Sequence, residues 1–288
     1  MHEGITDYLE IMQLAGVADV KRGSARASGA RAGGGGIAEM LPPVVVQERT
    51  SQEQKSGAAQ APRFTREDSS GTEPGGSRSP VHVPPVLVLD GKAGQLQLLA
   101  DEVAQCTLCR DLAESRTQTV FGVGNPDSSL VFLGEAPGAD EDKKGEPFVG
   151  RAGQLLTDII VKGMKMRRED VYICNILRCR PPGNRNPMPD EAAHCRPFLD
   201  RTLEIIAPKF ICCLGAVAAK SLLASEKTIG ALRGKVWDYN GIKNNGGIKN
   251  NGIKVVCTYH PAYLLRNPAA KADTWEDIKL LMREMGTN

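Results

Sequence analysis

The chain has 288 residues, of which 41% are hydrophobic, and its 36 basic and 34 acidic residues leave a formal net charge of +2. No apolar run reaches the roughly twenty residues that a membrane span needs, and the N-terminus lacks a secretory signal pattern, which predicts a cytoplasmic protein with no membrane partner. A charge balance this even permits a nucleic-acid partner without requiring one.

The first 93 residues have the composition of a disordered N-terminal extension. They include RGSARASGARAGGGG and SSGTEPGGSRSPVHVPP, and their only aromatic residues are Tyr8 and Phe64. Such a segment cannot bury enough apolar surface to offset the entropy that it would lose on folding. The exception is ITDYLEIMQLAGV, whose apolar residues fall at helical spacing. We therefore predict one folded domain over residues 94–288.

Four segments of this domain are predicted to be buried parallel strands. They are SSLVFLGEAPG, VYICNILRC, KFICCLG and IKVVCTYHP, each a short apolar run that ends in turn residues. Helix-like segments alternate with them, as in βαβ units. The pattern predicts a three-layer α/β/α sandwich around a central four-stranded parallel sheet. Its ligand site should lie beyond the carboxyl ends of the strands, near Gly134, Asn175 and His260.

A tandem repeat, GIKNNG at residues 241–246 and again at residues 247–252, separates KVWDY from the last predicted strand. Its Asn-Gly steps are typical of an enlarged turn that joins two strands. The lysines of the repeat could contact phosphate, but an ordinary surface loop is the simpler interpretation, because loops tolerate insertions.

The eight cysteines divide into two groups. Four lie inside predicted strands, where a thiol behaves as a small buried hydrophobe. These are Cys174, Cys212, Cys213 and Cys257. The other four are Cys106 and Cys109 in a C-x-x-C pair, Cys179 and Cys195. Four thiolates suit either tetrahedral zinc or a [4Fe-4S] cluster, although spacing alone also allows that Cys179 and Cys195 are unrelated loop cysteines.

Three further segments of the sequence accompany these four cysteines. They are GEAPGADED followed by GEPFVGRAGQLL, then NILRCRPPGNRNPMPDEAAHC, then HPAYLLRNP. These segments and the four cysteines resemble the family 4 uracil-DNA glycosylases in their order and spacing. The resemblance covers about residues 94–285. The resemblance implies an enzyme that hydrolyses the N-glycosidic bond of deoxyuridine in DNA, single- or double-stranded, and leaves an abasic site. It also implies a [4Fe-4S] cluster on Cys106, Cys109, Cys179 and Cys195. We expect a monomer.

The same resemblance assigns roles to three side chains around the base. Phe148 would provide a stacking platform for the flipped uracil, and Asn175 would match uracil O4 and N3–H with one donor and one acceptor. His260 would reach uracil O2, where negative charge accumulates as the base leaves. Each residue also has an ordinary structural interpretation, as a core aromatic, a turn cap and a hydrogen-bonded histidine respectively.

The predicted substrate-binding loop begins at Gly134 and carries several acids. Ala136 stands where better-known uracil glycosylases have an aspartate, so Glu135 is the candidate to position the water or stabilise the cationic sugar. In a GEAPG turn, Glu135 could instead order the loop. Glu141 or Asp142 could crowd the uracil C5 position and exclude thymine, although a run of acids is most often a solvated surface.

The predicted DNA contacts lie near two helix starts. Arg151 lies in GRAGQLL, where backbone N–H groups can meet phosphate, although the small residues there also allow close packing. In HPAYLLRNP, Leu264 or Leu265 would wedge into the base stack beside Arg266 and a phosphate. The alternative is that both leucines pack inward. The cluster would also expose a basic DNA-binding surface formed by Arg178, Arg180 and Arg185.

Two other functions fit the same segments. A non-catalytic DNA-binding or redox-signalling protein could retain the iron–sulfur fold, and another type of glycosylase could stay covalently bound to its abasic product. The covalent type would need a nucleophilic histidine near HPAY, whereas the other histidines are His2, His82 and His194.

Overall fold

The computed structural model describes residues 91–239 and 252–287. The predicted N-terminal extension, with its short helix, falls almost entirely outside the described residues, and so does the GIKNNG repeat except for its last glycine. The domain boundary at residue 94 therefore stays a prediction.

The described residues form a mixed sheet of six strands in the order β1-β3-β2-β4-β6-β5. The strands are β1 (Val123–Gly124), β2 (Leu130–Gly134), β3 (Tyr172–Asn175), β4 (Phe210–Leu214), β5 (Val236–Tyr239) and β6 (Ile253–Thr258). The inner strands β3, β2, β4 and β6 run parallel and are the four that the sequence predicts. β1 and β5 add an antiparallel strand at each edge, so the predicted number of strands was too low.

The two edge strands have different sequence signals. β1 has two residues, too few to show any periodicity, and no pattern predicts it. β5 lies in KVWDY, and its antiparallel pairing with β6 agrees with the hairpin that the Asn-Gly steps predict. The connecting residues 240–251 are not among those described.

Helices cover both faces of the sheet, as the three-layer prediction requires. They are α1 (Gly91–Ala104), α2 (Arg110–Ser115), α3 (Ala139–Lys144), α4 (Arg151–Asp158), α5 (Pro189–Ile206), α6 (Ala216–Leu223), α7 (Ile229–Leu232), α8 (Pro261–Arg266) and α9 (Ala270–Met285). Helix α4 continues into a π-helical turn at Ile159–Gly163. None of the helices in the described ranges is long and apolar enough to cross a membrane.

Successive side chains of β2 enter two separate cores. Val131 and Leu133 pack with residues of α1, α5, α6 and α7 on one face, whereas Leu130 and Phe132 pack with residues of α4 and α9 on the other. Each fully buried side chain of this size contributes roughly 1.5–3 kcal/mol to the stability of the fold. The four strand cysteines are fully buried as well, which confirms that they act as small hydrophobes.

The parallel strands bring the predicted ligand edge together. Gly134 ends β2, Asn175 ends β3, and the two residues are register partners. β6 ends at Thr258, shortly before His260. Because the carboxyl ends of parallel strands lie at the same edge, segments that are far apart in the sequence meet there.

Candidate active site

A cavity of about 420 Å³ opens at the carboxyl edge of the sheet. Its volume lies within the usual range for small-molecule sites. The predicted site residues that line it are Glu135, Ala136, Glu141, Phe148, Asn175, His260 and Arg266. The fold thus gathers residues from separate segments around one concave space.

Gly134 lies next to the cavity at a point where a side chain would collide with two of the lining residues. A Cβ at this position would lie 2.3 Å from Asn175 Oδ1 and 2.6 Å from Phe148 Cζ. The missing side chain allows the Asn175 amide and the Phe148 ring to approach the backbone of β2. Gly134 therefore makes room for the residues that form the site.

The Asn175 side chain is 2% exposed, and its Oδ1 has no hydrogen-bond partner among the described residues. Leaving a buried acceptor unpaired costs roughly 1–3 kcal/mol. The backbone here has little freedom, because Ile176 N donates to Gly134 O at 3.0 Å directly after β3. An unpaired Oδ1 argues against the turn-capping interpretation, since a cap would use that oxygen. The amide is fixed in place and retains hydrogen-bonding capacity for a ligand.

Phe148 has a backbone conformation that is unusual for a bulky residue, with a φ of +56°. Its side chain is 7% exposed, and its ring centroid lies 5.6 Å from that of His260 at an interplanar angle of 32°. Such a backbone conformation costs free energy and persists only where the surroundings enforce it. The contacts around Phe148 identify the groups responsible.

Two charged side chains hold the backbone on either side of Phe148. Arg168 donates from Nη2 to the carbonyl oxygens of Pro147 (3.0 Å) and Phe148 (3.1 Å). Glu141 accepts at Oε1 from the N–H of Val149 (2.9 Å), and it binds the next amide as well. Charge-assisted hydrogen bonds of this kind are stronger than neutral ones. We call Arg168 and Glu141 the Phe148 clamp.

Helix α4 completes the support of this loop. A Cβ at Gly153 would lie 1.8 Å from Phe148 O, so only glycine allows the helix to pack this closely. Arg168 also donates from Nη1 to Thr157 Oγ1 at 3.0 Å, which fixes the guanidinium against the same helix. No sequence signal indicated Arg168, because it lies 20 residues from Phe148 and no local pattern connects the two residues.

Glu141 uses both carboxylate oxygens to bind backbone, since its Oε2 accepts from Gly138 N at 3.1 Å. Asp142 does not line the cavity. It is 2% exposed and accepts from Thr117 N at 2.9 Å and from Thr117 Oγ1 at 2.7 Å. The prediction that Asp142 could border uracil C5 is wrong, because these bonds hold its carboxylate in the interior.

His260 is the N-cap of α8, and its Nδ1 accepts a hydrogen bond from Ala262 N at 3.1 Å. An accepting Nδ1 carries no proton, so the proton of the neutral ring is on Nε2. Burial and, to a smaller extent, the charge of Arg266 lower the pKa of His260 to about 4. At neutral pH the ring is therefore uncharged, with Nε2–H as its donor.

Glu135 and Ala136 directly follow β2. Leu177 N donates to Glu135 O at 3.0 Å, which extends the pairing of β2 and β3 beyond the strands. Burial raises the pKa of the Glu135 carboxyl group. This carboxyl group borders the cavity and makes no hydrogen bond or ion pair within the described part of the chain. The loop is thus anchored through its backbone, which leaves the acid free to meet a ligand.

The side chains of α8 divide between the interior and the surface. Leu264 is 1% exposed, so the prediction that it is a DNA wedge is wrong, whereas Leu265 is 38% exposed. Tyr263 is also exposed and lines the cavity together with Arg266. Arg151 is exposed at the first position of α4, outside the cavity lining. Leu265, Arg266 and Arg151 therefore remain as candidate DNA contacts.

A loop that the sequence analysis did not assign to the base forms another wall of the cavity. Its lining residues are Pro181, Asn184, Arg185 and Asn186. Arg185 forms a bidentate ion pair with Glu191, with N–O distances of 2.8 and 2.5 Å. This loop lies between Cys179 and Cys195, and that position was the sequence signal that could have connected it to the site.

The four cysteines outside the strands gather in one region. Cys179 and Cys195 are buried in one apolar cluster, against which Cys109 packs. Burial raises the pKa of the Cys109 thiol to about 12, and the Cys195 thiol adds to the rise. Cys106 belongs to the same region, because Arg116 binds both the Cys106 backbone oxygen and Cys179 Sγ. Among residues 91–239 and 252–287, no three potential ligands are close enough to hold a single metal ion.

Two polar side chains contact these thiols. Arg116 donates from Nη1 to Cys179 Sγ at 3.1 Å, and His194 Nδ1 lies 3.4 Å from Cys109 Sγ. Arg116 also donates from Nη2 to Cys106 O at 2.9 Å. A single guanidinium thus connects the C-x-x-C segment with a thiol that follows β3.

Arg178 is not part of a DNA-binding surface, because its side chain is 1% exposed. It donates from Nη1 to Phe121 O at 2.5 Å and from Nη2 to Thr202 Oγ1 at 3.0 Å. The prediction of a surface position was therefore wrong for Arg178. Arg180 and Arg185 are partly exposed, and Arg180 donates to Asn184 Oδ1 at 2.8 Å.

Known proteins resemble this chain over the whole site. The family model described as the uracil DNA glycosylase superfamily matches residues 121–279. A type-4 uracil-DNA glycosylase of Thermotoga maritima is 46% identical over 173 residues, which cover 60% of this chain and 84% of that protein. The type-4 enzyme of Archaeoglobus fulgidus is 44% identical over 182 residues, covering 62% and 87% respectively. That of Sulfurisphaera tokodaii is 42% identical over 190 residues, covering 64% and 82%.

The matched segment runs from Phe121, just before β1, to Lys279 in α9. It therefore includes every residue that lines the cavity. The family model spans more than half of the chain, and each of the three relatives is covered over more than four-fifths of its length. The chain therefore belongs to the uracil DNA glycosylase superfamily and, within it, to the type-4 uracil-DNA glycosylases.

Proposed function

We propose that this protein is a monofunctional uracil-DNA glycosylase, which hydrolyses the N-glycosidic bond of deoxyuridine in DNA, releases uracil and leaves an abasic site. The observation that carries the proposal is the buried Asn175 amide with its unpaired Oδ1, in a cavity that His260 and Phe148 also line. A fixed hydrogen-bonding edge, a neutral donor and an aromatic face are what the recognition of a flipped base requires.

Asn175 selects the base through its hydrogen-bonding edge. Oδ1 accepts from uracil N3–H, and Nδ2 donates to uracil O4. Cytosine opposes both interactions, since it presents an amino group to the amide donor and an unprotonated N3 to the acceptor. A site built in this way rejects the wrong base strongly, because buried polar groups are then left unpaired.

His260 stabilises the departing uracil. Negative charge accumulates on uracil O2 as the glycosidic bond breaks, and the neutral Nε2–H donates a hydrogen bond to it. The support for this role is the tautomer, which the hydrogen bond from Ala262 N to Nδ1 fixes. Because the charge exists only as the bond breaks, the contact stabilises the transition state more than bound DNA.

Glu135 positions the attacking water or stabilises the positive charge that develops on the sugar. A carboxylate near the anomeric carbon serves either purpose in glycosidic hydrolysis. Two observations support Glu135 over the other acid that lines the cavity. Its carboxyl group makes no hydrogen bond or ion pair within the described residues, whereas Glu141 binds backbone amides with both oxygens.

The DNA is held by residues around the mouth of the cavity. Leu265 is exposed on α8 and would enter the base stack in place of the flipped base. Arg266 and Arg151 would contact phosphates on either side. Because the cavity recognises one base, both single- and double-stranded DNA containing uracil are expected substrates.

Cys106, Cys109, Cys179 and Cys195 are proposed to hold a [4Fe-4S] cluster. The donor set fits the group, because Cys109, Cys179 and Cys195 pack together, Arg116 joins Cys106 to Cys179, and four Cys thiolates are the usual ligands of such a cluster. Bound to these residues, the cluster would have a structural role, because it would connect the C-x-x-C segment to both ends of the loop between Cys179 and Cys195. That loop forms a wall of the cavity, so the cluster would order the site without taking part in base release.

The catalytic domain is proposed to be residues 94–288, acting as a monomer in base excision repair. Residues 1–93 are proposed to be an extension outside this domain.

The proposal is tested by incubating the protein with a labelled oligonucleotide that contains one uracil, followed by alkali. We expect a strand break at the uracil position only, because alkali cleaves the abasic site that base release leaves. An oligonucleotide with thymine at the same position is the control. DNA that stays intact while the protein still binds it would support a non-catalytic DNA-binding protein instead.

A further inference from the structure

We propose that Arg178 and Arg116 are the counter-charges of the iron–sulfur cluster, two cations that the fold places beside the thiolates to offset the cluster's negative charge. The inference rests on the proposed cluster and goes beyond it, because it assigns a role to two arginines outside the catalytic cavity.

Arg178 is a buried charge without an anionic partner. Arg178 is 1% exposed, and its guanidinium donates to the neutral oxygens Phe121 O and Thr202 Oγ1 and also contacts the Cys174 thiol of β3. Nε has no hydrogen-bond partner in residues 91–239 and 252–287, and the centroid of the Phe121 ring lies 5.1 Å from the guanidinium carbon. No carboxylate within the described ranges lies at ion-pair distance from it. An unpaired buried charge is strongly unfavourable, so the protein in its complete form should contain an anion nearby.

The thiols are the groups that can supply this anion. Arg178 precedes Cys179 in the chain, and its backbone N–H hydrogen-bonds the Cys195 thiol, on which its charge also acts. Four thiolates around a [4Fe-4S] core leave a net negative charge that the surrounding protein must balance. The buried cation of Arg178 and the cluster anion therefore compensate each other.

Arg116 is the second cation of the same set. Its Nη1 donates to Cys179 Sγ at 3.1 Å, and its Nη2 binds the backbone oxygen of Cys106. It too has no carboxylate at ion-pair distance among the residues that the structure describes. Most other buried or half-buried arginines are paired; Arg196, for example, binds Asp200 at 2.6 Å. Arg168 and Arg180, which are half-buried, also lack an ion pair among the described residues, so Arg178 is distinguished by its complete burial and Arg116 by its hydrogen bond to Cys179 Sγ.

Removing a counter-charge makes the cluster harder to reduce, because reduction adds negative charge to a site that has lost a cation. Arg178→Met and Arg116→Gln should therefore each lower the reduction potential of the cluster and accelerate iron loss to a chelator several-fold. Arg178→Lys, which keeps the charge, should keep the potential near that of the wild type. A purely structural role would predict no shift of potential in a variant that retains its cluster.

The experiment compares these variants as purified holoprotein, with iron content, visible absorbance and reduction potential as readouts. Arg196→Met is the matched control, because it removes a partly buried arginine that already has an anionic partner. If Arg178→Met fails to fold, Arg116→Gln provides the same test. A potential that stays unchanged in cluster-containing Arg178→Met or Arg116→Gln would overturn the inference. A wild type that excises uracil but contains no iron would overturn it as well, while leaving the glycosylase activity intact.

Discussion

The cavity at the carboxyl edge of the sheet and the four-cysteine region are built in opposite ways. In the cavity, Asn175 Oδ1 has no hydrogen-bond partner within the described part of the chain, and Phe148 has a strained backbone. Around the cysteines, unpaired cations face thiols, and Arg116 already donates to one of them. An unsatisfied polar group beside strained backbone indicates a ligand that binds and leaves. A buried charge without its counter-ion indicates a group that stays with the protein.

The largest expected effect comes from a substitution in the cavity. His260→Ala should lower the rate of uracil release by about 30- to 900-fold, which corresponds to the roughly 2–4 kcal/mol of a lost transition-state hydrogen bond. Affinity for uracil-containing DNA should change much less, because the charge on uracil O2 is absent before the bond breaks. Single-turnover kinetics and a binding titration measure the two effects separately.

His82→Ala, which alters a histidine of the N-terminal extension, is the control for this prediction. It should leave both the rate and the affinity unchanged. Equal losses of rate and affinity in His260→Ala would contradict the assignment, because they would mean that His260 supports the loop rather than the leaving group.

A second variant tests whether Asn175 selects the base. Asn175→Asp should lower uracil release and admit slow release of cytosine, because a protonated carboxyl group presents a changed donor and acceptor pattern at nearly the same volume. The free-energy difference by which the site rejects cytosine relative to uracil should fall by roughly 1–3 kcal/mol, the cost of one unpaired buried polar group. The measurement uses matched oligonucleotides with uracil or cytosine, and Asn175→Ala serves as the control. If the Asp and Ala variants lose uracil release equally and neither releases cytosine, Asn175 only orders the loop.

The third prediction concerns the strained backbone of Phe148. Arg168→Met should lower kcat/KM for uracil release by about tenfold, the equivalent of roughly 1.4 kcal/mol, because the Phe148 clamp loses its bonds to two carbonyl groups. Inhibition by free uracil should weaken in parallel, while affinity for uracil-free DNA should not change. Arg167→Met is the matched control, since this neighbouring arginine is exposed and pairs with Asp170.

Loss of thermal stability in Arg168→Met with unchanged uracil inhibition would contradict the clamp. That result would assign Arg168 to general stability of the fold. If Arg168 acts through the Phe148 clamp, Arg168→Met weakens recognition of the base while the protein remains folded.

The sequence predicted the elements that periodicity and turn residues encode. The four inner strands appear as short apolar runs, and their parallel order puts Asn175 and His260 at one edge. The two-residue strand β1 could not be predicted, because pairing with β3 rather than its own pattern defines it. The clamp residue Arg168 could not be predicted either, since only the fold brings it to the Phe148 loop.

The errors concern residues whose burial depends on tertiary packing. Arginine is almost never fully buried, so Arg178 in a basic segment reads as a surface residue until its surroundings are known. Leu264 and Leu265 are adjacent and identical in type, so the sequence cannot say which one faces inward. Asp142 and Glu141 are adjacent acids in α3, and the position of Asp142 in the helix turns its carboxylate toward Thr117.

The last expected effect is a pH dependence of stability rather than of base release. The pKa of His260 is about 4 in the folded protein and 6.5 in an unfolded chain, so between these values the unfolded state binds more protons. The stability that this group contributes is fully present above about pH 6.5 and is lost as the pH falls toward about 4. His260→Gln should therefore lose less stability than the wild type between about pH 7.5 and about pH 5. If denaturant titrations show that the wild type and His260→Gln lose the same free energy of unfolding over this pH range, His260 titrates normally.

The central claim is that the cavity at the carboxyl edge of the sheet releases uracil by hydrolysis. The most direct measurement quantifies free uracil and abasic sites in the same reaction on DNA that contains one uracil, before any alkali treatment. The account predicts equal amounts of both products, an unbroken DNA strand, and the loss of both products in His260→Ala. Abasic sites without free uracil, strand breaks before alkali, or no uracil at all would contradict it.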